Sequence, residues 1–154
     1  MVIVLKYDKA ITTIRELLKN NKSSVLQDVV DYLHSSFDSY TWVGIYLVKN
    51  NMLHLGPWSG PHATEHTEIP IGHGICGAAA ETGKIENIAD VRKDNRYLSC
   101  FISTRSEIVV PLKHDEAIIG EIDIDSDQPQ AFDNDDELFL KKIADMLAEH
   151  IHNK

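Results

Sequence analysis

The sequence predicts an α+β fold: an antiparallel sheet with N- and C-terminal helices packed on one face and a loop-covered pocket on the other. Three observations predict it. Helical periodicity occupies both ends of the chain, while the middle is built of short β-branched and aromatic runs. Two pairs of those runs are joined by short turns, which makes them antiparallel neighbours. The remaining stretches are long, polar or rich in Gly, Pro and His, the composition of irregular cover. At 154 residues, with no internal repeat or linker, the chain reads as one domain, 1–154.

Taken in order, Lys6 to Asn20 reads as a helix with Ile11, Ile14, Leu17 and Leu18 on one side. Ser23 or Ser24 caps a second helix, whose stripe is Val25, Leu26, Val29, Val30 and Leu33. Thr41 to Val48 is a strand, Lys49-Asn50-Asn51 a hairpin turn, and Met52 to Leu55 the start of the returning strand. Gly56 to Gly74 carries seven Gly and Pro residues and reads as loop. Ile75 to Thr82 is a short helix ended by Gly83. Lys84 to Ile88 is a short strand, and Asp90 to Ser106 a long polar loop. Ile108 to Leu112 and Ile118 to Asp125 form a second hairpin about His114-Asp115-Glu116. Asp133 caps a last helix, with Asn134, Asp135, Asp136 and Glu137 complementing its positive start and Leu140, Ile143, Leu147 and Ile151 as its stripe.

Composition excludes several classes. Asp and Glu number 24 against 15 Lys and Arg, a net charge of -9. That balance argues against a nucleic-acid partner, whose phosphates need excess positive charge. The apolar N-terminal patch is interrupted by Lys6 and Asp8 and is too short for a membrane span or signal. Two cysteines are too few for a disulfide scaffold, so the protein is read as cytoplasmic, with reduced thiols.

The chemistry concentrates between Tyr97 and Ser126. Alternation in Gly120 to Ser126 sends Asp123 and Asp125 to one face, and the hairpin brings Glu107 near them. Cys100 sits in the preceding loop near Arg92, Lys93, Arg96 and Arg105, which favour its thiolate. Cys76 begins the short helix and has two readings: a thiolate stabilised by the helix start, or a small buried hydrophobe among alanines. Trp42, Gly44 and Tyr46 share a strand face, either as core or as an aromatic wall in which Gly44 leaves room for a guest. His62, His66 and His73 are scattered through the Gly/Pro loop without CxxC or HExxH spacing, so no native metal is expected.

Five segments together resemble a known family. They are Trp42-Val43-Gly44-Ile45-Tyr46-Leu47, Leu55-Gly56-Pro57-Trp58, Ile69 to Gly77, Arg105-Ser106-Glu107-Ile108-Val109-Val110-Pro111, and Gly120 to Ser126. The chain is similar in these to the free methionine-(R)-sulfoxide reductases, single GAF domains with a PAS-like fold. The resemblance implies that Cys100 is the nucleophile and Cys76 a resolving thiol. It implies that Glu107, Asp123 and Asp125 hold and protonate the substrate, and that Trp42 and Tyr46 line the methionine pocket. It implies free methionine-R-sulfoxide as substrate, a thioredoxin-like reductant, no bound cofactor and a homodimer. The chain departs from the family pattern twice. A third cysteine of the family is replaced by Thr64 or His66, according to alignment, and Phe101 stands where an Asp commonly follows the nucleophile. The alternative expectation is a non-catalytic GAF module that binds a small amphipathic ligand for signalling.

Overall fold

The computed structural model describes residues 2–99 and 101–154. Helix α1 (Val2–Lys19) and helix α2 (Val25–Ser36) open the chain. Strands β1 (Trp42–Lys49) and β2 (Met52–Ser59) follow, then β3 (Glu68–Pro70), helix α3 (Gly74–Thr82) and β4 (Glu86–Ile88). Strands β5 (Ser106–His114) and β6 (Ala117–Ser126) form the central hairpin, and α4 (Asn134–His152) ends the chain. The six strands make one sheet in the order β3-β2-β1-β6-β5-β4, every pair antiparallel. The α+β expectation is met, and helices α1, α2 and α4 pack on one face. No helix among the described residues is long and apolar enough to cross a membrane.

Local chemistry explains most boundaries. Asn50 and Asn51 both take positive φ, 54° and 61°, as a two-residue hairpin turn requires. Gly83 caps α3 in the left-handed region, its N–H donating to the Ala79 carbonyl. Beyond shifts of a residue or two at strand ends, the sheet differs from the expectation at β2 and β3. β2 runs on through Gly56 and Pro57 to Ser59, because the β1–β2 register shifts between Gly44 and Tyr46. Pro57 falls in that bulge, where its missing N–H breaks no ladder bond. β3 lies inside the stretch read as loop; it is three residues long, lies at the sheet edge and ends in Pro70.

Side-chain alternation divides the sheet into two faces with opposite chemistry. Val43, Ile45, Ile108, Val110, Ile122 and Ile124 point to the helices and meet Ile14, Leu33, Ile143 and Leu147, all fully buried. Each such side chain contributes about 1.5–3 kcal/mol by leaving water. The opposite face carries Trp42, Tyr46, Leu53, Ile69 and Val109, covered by Ile75 and the small residues of α3. The acidic residues of β5 and β6 belong to this second face.

One network outside the sheet was hidden in the sequence. Asp136 looks there like a surface acid complementing the start of α4. In the structure it is buried, accepts hydrogen bonds from Tyr40 at 2.6 Å and Tyr7 at 3.0 Å, and closes a capping box with Asp133. Burial raises its pKa, with the Tyr40 bond acting against the rise. It thereby ties α1 and the entry to β1 onto α4. Asp136→Ala leaves the Tyr40 hydroxyl buried without an acceptor and is expected to cost about 3 kcal/mol. Urea denaturation at an unchanged m-value measures this; a loss under about 0.5 kcal/mol would make the network incidental.

Candidate active site

Strand register builds a buried acid cluster. Across β1–β6, Trp42 pairs with Asp125 and Gly44 with Asp123; across β5–β6, Glu107 pairs with Asp125 and Val109 with Asp123. Glu107, Asp123 and Asp125 therefore converge, and Glu121 joins them from the same alternation. The four are at most 4% exposed. No ion pair among the described residues includes any of them.

A carboxylate sealed from water without a cation keeps its proton. Burial, then the Asp123 and Asp125 charges, pushes Glu107 well above the ordinary carboxylic range. Asp125 and Glu121 are pushed up by burial and then by Asp123. Asp123 is raised by burial too, but hydrogen bonds from Glu107 and the Cys76 thiol oppose the rise. Glu107, raised by burial and by both neighbouring aspartates, is the natural proton donor of the group. Among the described residues, Asp123 Oδ1, Asp125 Oδ1 and both Glu121 carboxyl oxygens meet no N–H or O–H donor when the cluster is written fully ionised.

Cys76 faces this cluster from the first turn of α3. Gly77 lets α3 approach closely, since a Cβ there would come within 2.7 Å of the Pro70 carbonyl oxygen. The Cys76 Sγ and one carboxylate oxygen each of Glu107 and Asp123 all lie within 4.8 Å of one another. Of the two readings of Cys76, the buried one holds. Burial raises the thiol pKa first, and the four carboxylates raise it further, outweighing the helix start.

A cavity of about 10 Å³, room for a single water, lies among Tyr46, His66, Cys76, Leu98, Glu107 and Asp123. The Tyr46 hydroxyl donates to the His66 carbonyl at 2.7 Å, and the His66 ring lies 3.3 Å from the Ser99 carbonyl. The His66 N–H donates to Thr64 Oγ1 at 3.1 Å, so the two candidate positions of the missing cysteine brace each other. Trp42 stands at the other end of the cluster, stacked on Trp58 at 6.2 Å and tilted against Phe101 at 6.0 Å. Gly44 leaves no room for a guest. The Trp42 indole itself fills the space, where a Cβ at Gly44 would come within 2.3 Å of the ring. Among the described residues the buried Trp42 Nε1–H has no acceptor.

The sequence-derived site residues thus fall as follows. Glu107, Asp123, Asp125 and Cys76 are brought together, Tyr46 lines the cavity, and Trp42 packs beside Asp125's strand position. Cys100 lies outside the described residues; its neighbours Ser99 and Phe101 contact His66 and Trp42. Sequence reasoning missed Glu121, which the alternation Glu121-Asp123-Asp125 already signalled. It also treated His66 as a scattered loop residue, although it lines the cavity. His62 and His73 are exposed. Among the described residues the one group with metal-ligand spacing, Cys76, Glu107 and Asp123, contains no histidine.

The sequence profile of the GAF domain matches residues 10–151. The chain is 35% identical over 115 residues to the free methionine-R-sulfoxide reductase of Escherichia coli (strain K12), covering 75% of this chain and 68% of that protein. It superposes on a type II free methionine-R-sulfoxide reductase from Thermoplasma acidophilum with a TM-score of 0.82 and 42% identity, over 88% of this chain and 96% of the other. The free methionine-R-sulfoxide reductase from Neisseria meningitidis, solved in complex with its substrate, gives a TM-score of 0.88 at 33% identity, over 95% and 88% of the two chains.

Proposed function

This chain belongs to the GAF domain family and, within it, to the free methionine-R-sulfoxide reductases; from that premise we propose that it reduces free L-methionine-(R)-sulfoxide to methionine with Cys100 as nucleophile. The observation that carries the site assignment is the buried, cation-free acid cluster beside the cavity. Its unpartnered carboxylate oxygens suit the substrate's ammonium group, and the Trp42 indole N–H suits an anionic or dipolar oxygen. A zwitterionic amino acid satisfies both. The cavity holds only one water's volume, so binding requires its walls to part.

The steps balance as follows. The Cys100 thiolate attacks the sulfoxide sulfur while Glu107 gives its proton to the sulfoxide oxygen. The S–O bond breaks with transfer of that oxygen to Cys100. The products are methionine and a Cys100 sulfenic acid: the substrate is reduced and the cysteine oxidised. A second thiol then displaces water from the sulfenic acid and forms a disulfide. Cys76 is the internal candidate for this step, its proton passing by way of Asp123 to the departing hydroxyl, which leaves as water. A thioredoxin-like dithiol reduces the disulfide and restores both thiols. No bound cofactor enters the cycle.

Chromatography of methionine formed from the R epimer, with dithiothreitol as reductant, tests the activity; absence of methionine contradicts it. Cys76→Ser tests the recycling step. It is expected to slow thioredoxin-linked turnover about tenfold or more while dithiothreitol-linked turnover stays near wild type. Equal losses with both reductants would remove Cys76 from the resolving role.

A further inference from the structure

Spacing along the chain gives no metal motif, because the three best ligands come from α3, β5 and β6. Folding places them together. Cys76 Sγ, a Glu107 oxygen and an Asp123 oxygen lie within 4.8 Å of one another, and all three residues are buried. Asp123 Oδ1 is sealed from water, meets no N–H or O–H donor among the described residues when the cluster is written ionised, and belongs to a side chain lining the cavity. No Lys or Arg among the described residues pairs with the cluster. The cavity beside the three ligand atoms has room for one water, whereas a whole amino acid needs it opened.

We propose that Cys76, Glu107 and Asp123 form a site for one thiophilic divalent cation of the zinc class, placed where the substrate's ammonium group is received, so that metal and sulfoxide exclude each other. The donor set selects the ion. Calcium and magnesium prefer six or more oxygen ligands, and a single thiolate among two carboxylates suits zinc or cobalt(II) in a four-coordinate site. The fourth position faces the cavity, where a water fits. Binding displaces the Cys76 proton to solvent and leaves a metal-held thiolate. Asp125 and Glu121 remain as neighbouring acids and lend the site further negative potential. The exclusion clause rests on the proposed reductase reading; metal binding itself does not.

The test uses the reduced 154-residue chain carrying Cys100→Ser, which leaves Cys76 as its one thiol. Cobalt(II) is titrated and followed by its thiolate charge-transfer band, with a phosphine as reductant because a dithiol would chelate the metal. The expected result is saturation at one equivalent, with competition by zinc. Adding Cys76→Ser abolishes the band, and Asp123→Asn weakens binding at least about tenfold. Because Asp123→Asn could disturb the sheet, the Cys76→Ser arm decides. Absence of saturable binding, or a band surviving Cys76→Ser, overturns the site. In the unsubstituted chain, zinc should raise the apparent KM for the free sulfoxide and leave kcat unchanged. Turnover indifferent to zinc overturns the shared location, while the cobalt band separately decides whether the site exists; a chain that binds cobalt yet forms no methionine contradicts the reductase reading alone.

Discussion

Cys100→Ser is expected to remove reduction of free methionine-R-sulfoxide, with kcat/KM falling at least about a thousandfold while the melting temperature stays unchanged. The chain has two cysteines, and Cys76 is buried among four acids that hold its thiol protonated. A buried neutral thiol is a poor nucleophile. In the sequence Cys100 follows Arg92, Lys93 and Arg96 and precedes Arg105; of these Arg92 is held by Asp90, and Arg96 by Glu86 and Asp94. A serine hydroxyl supplies neither the thiolate nor the capacity to hold oxygen as a sulfenic acid. Steady-state assay with dithiothreitol measures the loss. Retention of a tenth of the activity or more would transfer the nucleophile's role to Cys76.

Glu107→Gln is expected to lower kcat about a hundredfold by removing the proton donor, with a smaller change in KM. The amide keeps the shape of the side chain and one hydrogen-bonding oxygen, so packing against β6 survives. Asp125→Asn separates acid chemistry from packing. Burial first, then the Asp123 and Asp125 charges, keeps Glu107 protonated. Removing the Asp125 charge lowers the Glu107 pKa, and the alkaline limb of the kcat profile should move to lower pH. A limb that moves upward, or stays in place, contradicts Glu107 as the acid. Stability carries the same sign. A carboxyl whose folded pKa is raised stabilises the fold below its unfolded value and loses that contribution as pH rises through the folded value. Thermal melts from about pH 6 to about pH 9 should therefore favour Glu107→Gln over the parent increasingly with pH.

Much of this was legible in the sequence because period-2 alternation is so direct a signal. Asp123 and Asp125 had to share a face, and the hairpin had to set Glu107 across from them. The N-terminal and C-terminal helices were equally legible from their apolar stripes. Legibility failed where the cause was non-local. β2 continues past Pro57 because a bulge opposite Ile45 absorbs the proline, and nothing within β2 announces that bulge. Gly44 looked like space for a ligand, but the indole of Trp42 turns back over its own strand and occupies it. Asp136 looked like a helix-start acid until Tyr7 and Tyr40, remote in sequence, were seen to donate to it. The two readings of Cys76 could be separated only by burial, which the helix-start rule does not contain. His66 gained its place at the cavity from contacts with Tyr46 and Ser99 that no spacing encodes.

The most direct measurement is a single turnover without reductant. The reduced protein is mixed with excess free methionine-R-sulfoxide, and both methionine and cysteine oxidation are quantified by mass spectrometry. The account predicts about one methionine per chain, with the oxygen or the resulting disulfide located at Cys100. Methionine formed while Cys100 remains a free thiol, or no methionine beside two unchanged thiols, would contradict it.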